Sequence, residues 1–152
     1  MRRGLPPTVQ ETLTRHEATG TTDSPEYAAA CEVFYRRHLC RLRPWPPEVI
    51  RGFQLIAQDP TAYHVMNGPS QLHVIGSIRD WEAESRLHRI LAPALVISGR
   101  QDEATPKLQA ALVRGIGESH QVIPESSSHM PFWEERPTHM NEVGRWLDAH
   151  DR

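Results

Sequence analysis

The chain has 152 residues, enough for one domain with a sizeable core, but only 38% are hydrophobic and the mean hydropathy is −0.55, so that core is expected to be thin. A net charge of −2 excludes the strongly basic surface that nucleic acid or an anionic membrane requires. No apolar run approaches a membrane span and no apolar stretch stands behind Arg2 and Arg3, so a cytoplasmic protein is expected.

Residues 4–20 read as a helix that Pro6-Pro7 can start, Thr8 can cap and Gly20 ends. Asp23 or Ser24 caps the next helix, with Pro25 at its first position. From Glu26 to Cys40 the residues Tyr27, Ala30, Cys31, Phe34, Tyr35 and Leu39 form one apolar face. Arg36, Arg37, Arg41 and Arg43 crowd its end, where cations suit the negative helix terminus. Cys31 and Cys40 read first as a reduced pair, with one disulfide as the alternative. No CxxC or HExxH spacing occurs, so neither a metal nor a cofactor is expected.

Leu42 to Pro47 breaks structure repeatedly. A short helix follows over 48–57, with Val49, Ile50, Phe53 and Ile56 on one side, and Asp59-Pro60 ends it. Residues 61–65 fit either an extended or a helical segment. Asn67 to Gln71 reads as a turn, and a helical segment carrying Leu87 and Ile90 comes after Asp80-Trp81. Residues 1–90 are therefore mostly helical, whereas 91–152 alternate strand and helix.

The second part opens on Ala94 to Ile97, a short apolar run between Pro93 and Gly99 that reads as a buried parallel strand. Asp102 and Glu103 lie just past its carboxyl end, and Thr105-Pro106 then opens a helix as cap and first residue. A second strand is expected over 121–124, and His129 falls in the polar loop behind it. A last helix over 137–150 should bury Thr138, Met140, Val143, Trp146 and Leu147. The order strand, Asp, helix, strand, His, helix matches the back half of an α/β-hydrolase, in which the acid orients an imidazole that takes a nucleophile's proton. Spacing alone leaves another reading open: Asp102 as a turn cap, and His129 as one loop histidine among nine.

Several stretches carry a more specific likeness: Leu5 to Glu11, Phe34 to His38, Tyr63 to Pro69, Gly76 to Trp81, Ser98 to Pro106, and Ser127 to Pro131. Together they resemble, in order and over nearly the whole chain, the carboxyl-terminal half of a proline iminopeptidase (prolyl aminopeptidase). The resemblance implies an α/β fold: the carboxyl-terminal portion of an α/β-hydrolase, with a mostly helical cap over 1–90 and the last two strands and helices of the core over 91–152. It implies a serine aminopeptidase that releases amino-terminal residues, preferably proline, from short peptides with a free amino end. Asp102 would be the triad acid and His129 the triad base. Glu103 would bind the substrate's α-ammonium, with Asn67 and Gln71 also at the substrate.

The chain departs from that pattern twice. The family motif has an acid in the Asn-Gly-Pro-x-Glu position, which here is Gln71, an amide that accepts a hydrogen bond but supplies no counter-charge. No G-x-S-x-G occurs, so nucleophile and oxyanion hole are expected upstream, and this chain is expected to be inactive alone. An unpaired sheet edge and an exposed apolar surface should result. That edge would receive the missing amino-terminal half or another pairing chain. Other readings are a different capped α/β-hydrolase, an esterase or amidase, and a non-catalytic remnant or interaction fragment.

Overall fold

A computed structural model describes residues 2–151. They form two compact units: the residues up to Arg36 together with Arg43–Trp81, and Arg37–Leu42 together with the residues from Glu82 on.

The first unit is helical. α1 spans Pro7–Thr19, α2 Pro25–His38, α3 Pro47–Gln58 and α4 Thr61–Met66; the last two residues of α2 begin the second unit. Helix α1 starts later than expected and has no side-chain cap, because Pro7 already occupies the first turn and Thr8 lies inside it. Gly20 closes it in the left-handed conformation at φ 69°, which only glycine adopts without cost. At α2 the cap is Ser24, whose Oγ accepts from the Tyr27 amide at 3.1 Å. The core gathers Leu5, Leu13, Tyr27, Ala30, Cys31 and Phe34 from the loop before α1 and the facing stripes of α1 and α2. Tyr27 is almost wholly buried, and its hydroxyl shares a 2.8 Å hydrogen bond with the buried Ser70. Residues 61–65, open between two conformations in the sequence, are helical.

The second unit holds β1 (Ala94–Ile97), α5 (Pro106–Gly115), β2 (Ser119–Val122), α6 (Pro131–Glu134) and α7 (Arg136–His150). The segment expected to carry Leu87 and Ile90 as a helix is a 3-10 turn over Glu84–Arg89, with Ile90 already beyond it. Strands β1 and β2 pair in parallel, with Ala94 opposite Ser119 and Ile97 opposite Val122. The second strand thus lies two residues earlier than its apolar pattern indicates. Pairing decides this: the Ala94 amide donates to the Glu118 carbonyl, which fixes the register at the polar Ser119-His120 end. As expected, Thr105 Oγ1 accepts from the Leu108 amide and Pro106 takes the first helical position of α5.

Helix α7 corrects another expectation. Its apolar stripe is not a buried one: Met140 is 54% exposed, Leu147 59%, and Thr138 is exposed as well, whereas Val143 and Trp146 are half-buried. Phe132, Leu108 and Leu91 also stand open in this unit, the last at 90%. The sheet has two strands among the described residues. No helix among them is long and apolar enough to cross a membrane.

Candidate active site

The carboxyl ends of β1 and β2 continue into two loops, 98–105 and 123–130, that are laced together by their backbones. The Ser98 amide donates to the Val122 carbonyl at 3.2 Å, Arg100 to Pro124 at 2.9 Å, and Gln101 to Ser127 at 2.9 Å. This close approach needs Gly99. A methyl group there would lie 2.3 Å from the carbonyl oxygens of both Ser127 and Ser128.

The lacing brings Asp102 and His129 together. Nδ1 of His129 lies 3.0 Å from Oδ1 of Asp102, 27 residues apart in sequence. The carboxylate is 3% exposed and the imidazole 44%, so the acid is sequestered while the ring remains accessible. Asp102 Oδ1 also accepts from the Ala104 amide at 2.7 Å, which turns the carboxylate toward the ring. Because a carboxylate only accepts, the contact puts the proton on Nδ1 and leaves Nε2 as the basic nitrogen. The hydrogen bond that His129 donates to Asp102 holds the His129 pKa above its ordinary value, against burial, which pulls the other way. Glu103 sits beside the pair. Burial pushes its carboxyl pKa up, and the facing His129 only partly offsets that.

Two further supports were not legible beforehand. Glu134 and Glu135, at the end of α6, grip the serines before the histidine. Glu134 accepts from the Ser128 amide at 2.7 Å and from its hydroxyl at 2.8 Å. Glu135 accepts from the Ser126 amide at 2.9 Å and from the Ser127 hydroxyl. Ser127 and Ser128 are fully buried and engaged in this way, so they brace the loop. The only sequence signal was the run Ser126 to Ser128 followed by Glu134-Glu135, which begins six residues after Ser128. The other support is His38, whose carbonyl accepts from both the Glu103 and His129 amides, each at 3.2 Å.

Asp102, Glu103 and His129 share the second unit, while Asn67 and Gln71 belong to the first. The Asn67 carbonyl accepts from the amides of Ile75 and Gly76 at 2.9 and 3.0 Å, tying its loop back on itself. Gln71 is exposed and lines a first-unit cavity of about 470 Å³, whose lining also includes Tyr27, Tyr35, Phe53 and Tyr63 and no Asp, Glu, Lys or Arg.

Parallel strands with an acid past the first and a histidine hydrogen-bonded to it past the next define the carboxyl-terminal portion of an α/β-hydrolase. No protein-family model matches the chain. It is 36% identical over 144 residues to a proline iminopeptidase of Saccharolobus solfataricus, covering 95% of this chain and 46% of that one. It is also 36% identical to the proline iminopeptidase of Heyndrickxia coagulans, covering 95% and 50%. Among solved structures it superimposes on VinJ with a TM-score of 0.94 at 43% identity, covering 98% of this chain and 50% of VinJ. On the proline iminopeptidase of Mycobacterium smegmatis the TM-score is 0.87 at 39% identity, covering 99% and 50%. Within the α/β-hydrolases the chain is similar to the carboxyl-terminal half of proline iminopeptidases. It spans about half the length of the curated relatives it matches.

Proposed function

We propose that this chain supplies the acid and base of a serine aminopeptidase that releases amino-terminal residues, preferably proline, from short peptides. The observation that carries the proposal is the 3.0 Å contact between Asp102 and His129 past the ends of two parallel strands. In the reaction, Nε2 of His129 takes the proton of a serine hydroxyl as that oxygen attacks the scissile carbonyl, and later returns it to the leaving amine. Asp102 holds the tautomer and stabilises the imidazolium. The serine and the oxyanion donors come from the other half of the enzyme.

Glu103 binds the substrate's α-ammonium. Its burial makes ionisation costly without a cation, so an arriving ammonium is met by a charge-assisted hydrogen bond with little competition from water. With Gln71 neutral, charge recognition rests on Glu103. Cys31 and Cys40 are both buried thiols, which supports a reducing, cytoplasmic setting.

The second substrate class that the reading leaves is an apolar aryl ester or amide. The test is an assay of the purified chain on a proline arylamide, alone and mixed with the amino-terminal half of a relative. Activity in the mixture only, abolished by His129→Ala, is the expected result. A mixture that associates yet turns over nothing overturns the proposal. Turnover of apolar aryl esters but not of the arylamide selects the second class.

A further inference from the structure

His38 ends α2, and the last carbonyls of a helix have no partner within the helix. In this chain that carbonyl is used outside it. One oxygen receives the amides of Glu103 and His129, each at 3.2 Å, so both of its lone pairs are spent on the two loops of the candidate site. The side chain adds a third tie. Nδ1 of His38 lies 2.8 Å from the Gln101 carbonyl, and since a carbonyl only accepts, Nδ1–H is the donor. Burial holds the His38 pKa below its ordinary value; the bond to the Gln101 carbonyl pulls it up, and the nearby Arg37 and Arg41 push it down. Leu39 and Cys40 continue the strut as buried residues at 4% and 0% exposure. The next residue is pinned as well: the Arg41 amide donates to Glu134 at 2.7 Å, the same carboxylate that grips Ser128.

We propose that His38 is a positioning residue for the Asp102–His129 pair, its ring anchoring the segment 37–42 to the acid loop while its carbonyl holds Glu103 and His129 at a common point. The proposal rests on the acid–base reading of that pair. Sequence separation makes it more than local bracing. Gln101 is 63 residues from His38, and the same residue reaches across to the loop of His129, so the strut ties two loops that the strands alone fix only at their bases. Without it, each loop retains its lacing to the other, but the backbones on either side of the 3.0 Å contact lose their shared anchor.

The test is NMR on the full 152-residue chain, following the titration of His129 and the hydrogen exchange of the Glu103 and His129 amides. The charged groups that set the His129 titration are Asp102, Glu103 and Glu134. Replacing the ring by one of similar volume without a donor, His38→Phe, is expected to speed exchange of both amides. It should also lower the His129 pKa toward its ordinary value as the Asp102 contact loosens. His38→Asn, which keeps a donor near Nδ1, is expected to restore both readouts. A purely structural role would change the melting temperature of the two variants while leaving the His129 pKa unmoved. The wild-type chain gives a check that needs no variant: Glu103 and His129 amides that exchange as freely as exposed loop amides overturn the proposal. A raised His129 pKa that is identical in wild type and His38→Phe overturns it too, and leaves the acid–base pair standing. An ordinary His129 pKa in the wild type overturns the pair itself, and this inference with it.

Discussion

Gly99→Ala tests the site's construction most directly. The glycine has no left-handed φ to lose, so any effect must come from contacts. The added Cβ would sit 2.3 Å from the carbonyl oxygens of Ser127 and Ser128 and 2.4 Å from the Ser127 carbonyl carbon. A carbon–oxygen contact is comfortable near about 3.3 Å, so the two loops must part by about 1 Å. These are backbone atoms in a segment clamped by Glu134 and Glu135, and they have no rotamer to escape into. Overpacking of this kind costs about 1–3 kcal/mol. Loss of the 2.9 Å bond from Gln101 to Ser127 adds about 1 kcal/mol. The sum is about 3 kcal/mol, or a fall of about 6–12 °C in the melting temperature for a chain of this size.

Thermal unfolding followed by circular dichroism reads that change, and the His129 titration reads its local consequence. As the loops part, the Asp102 contact lengthens and the His129 pKa falls back toward its ordinary value. Gly117→Ala is the control, because nothing lies within 4 Å of a methyl group there and its effect should stay within about 0.5 kcal/mol. If Gly99→Ala melts within a degree or two of the control and keeps a raised His129 pKa, the loops are not as closely laced as described.

Glu103→Gln should stabilise the chain near neutral pH. A carboxyl whose folded pKa is raised contributes most to stability when protonated, below its ordinary 4.5, and loses that contribution as pH climbs through the raised value. The advantage of the variant in urea midpoint should therefore be absent in acid and grow toward neutrality; a pH-independent difference would contradict the burial argument. The same measurement bears on His129, whose raised pKa gives a contribution that is complete below 6.5 and fades as pH rises through the folded value. With the ring 44% exposed, solvent screening keeps that contribution below about 1 kcal/mol. In the first unit, Leu13→Ala empties a fully buried position and should cost about 2–5 kcal/mol by chemical denaturation, with a loss under about 1 kcal/mol refuting the assigned core.

What the sequence discloses depends on the kind of signal each feature leaves. β1 is legible because four apolar residues stand between Pro93 and Gly99, and the start of α5 because Thr105 and Pro106 have one obvious reading. β2 is displaced by two residues because its first half, Ser119-His120, is polar, and its position is fixed by pairing with β1. The stripe of α7 shows the opposite limit. Periodicity tells which side chains share a face, but not what covers them, and Met140 and Leu147 are open. Asp102 and His129 are legible as residue types at a known spacing. The carbonyl of His38 is not, because every residue has one and only the fold decides which becomes an anchor.

That distinction bears on why the pair is ordered in a chain covering half of its relatives. Each hydrogen bond that sets the contact lies within the second unit: Ala104 to Asp102, Gln101 to Ser127, Arg100 to Pro124, and Glu103 and His129 to His38. Most run between backbone atoms, which pay little side-chain entropy to be held in place. A serine brought by another segment would thus meet an imidazole already oriented by Asp102 and 44% exposed. Catalytic geometry of this kind is worth most when its reorganisation has been completed before the substrate arrives. The part of the proposed chemistry assigned to Asp102 and His129 would therefore be built into the second unit, and the proposed reaction also requires a nucleophile and its oxyanion donors.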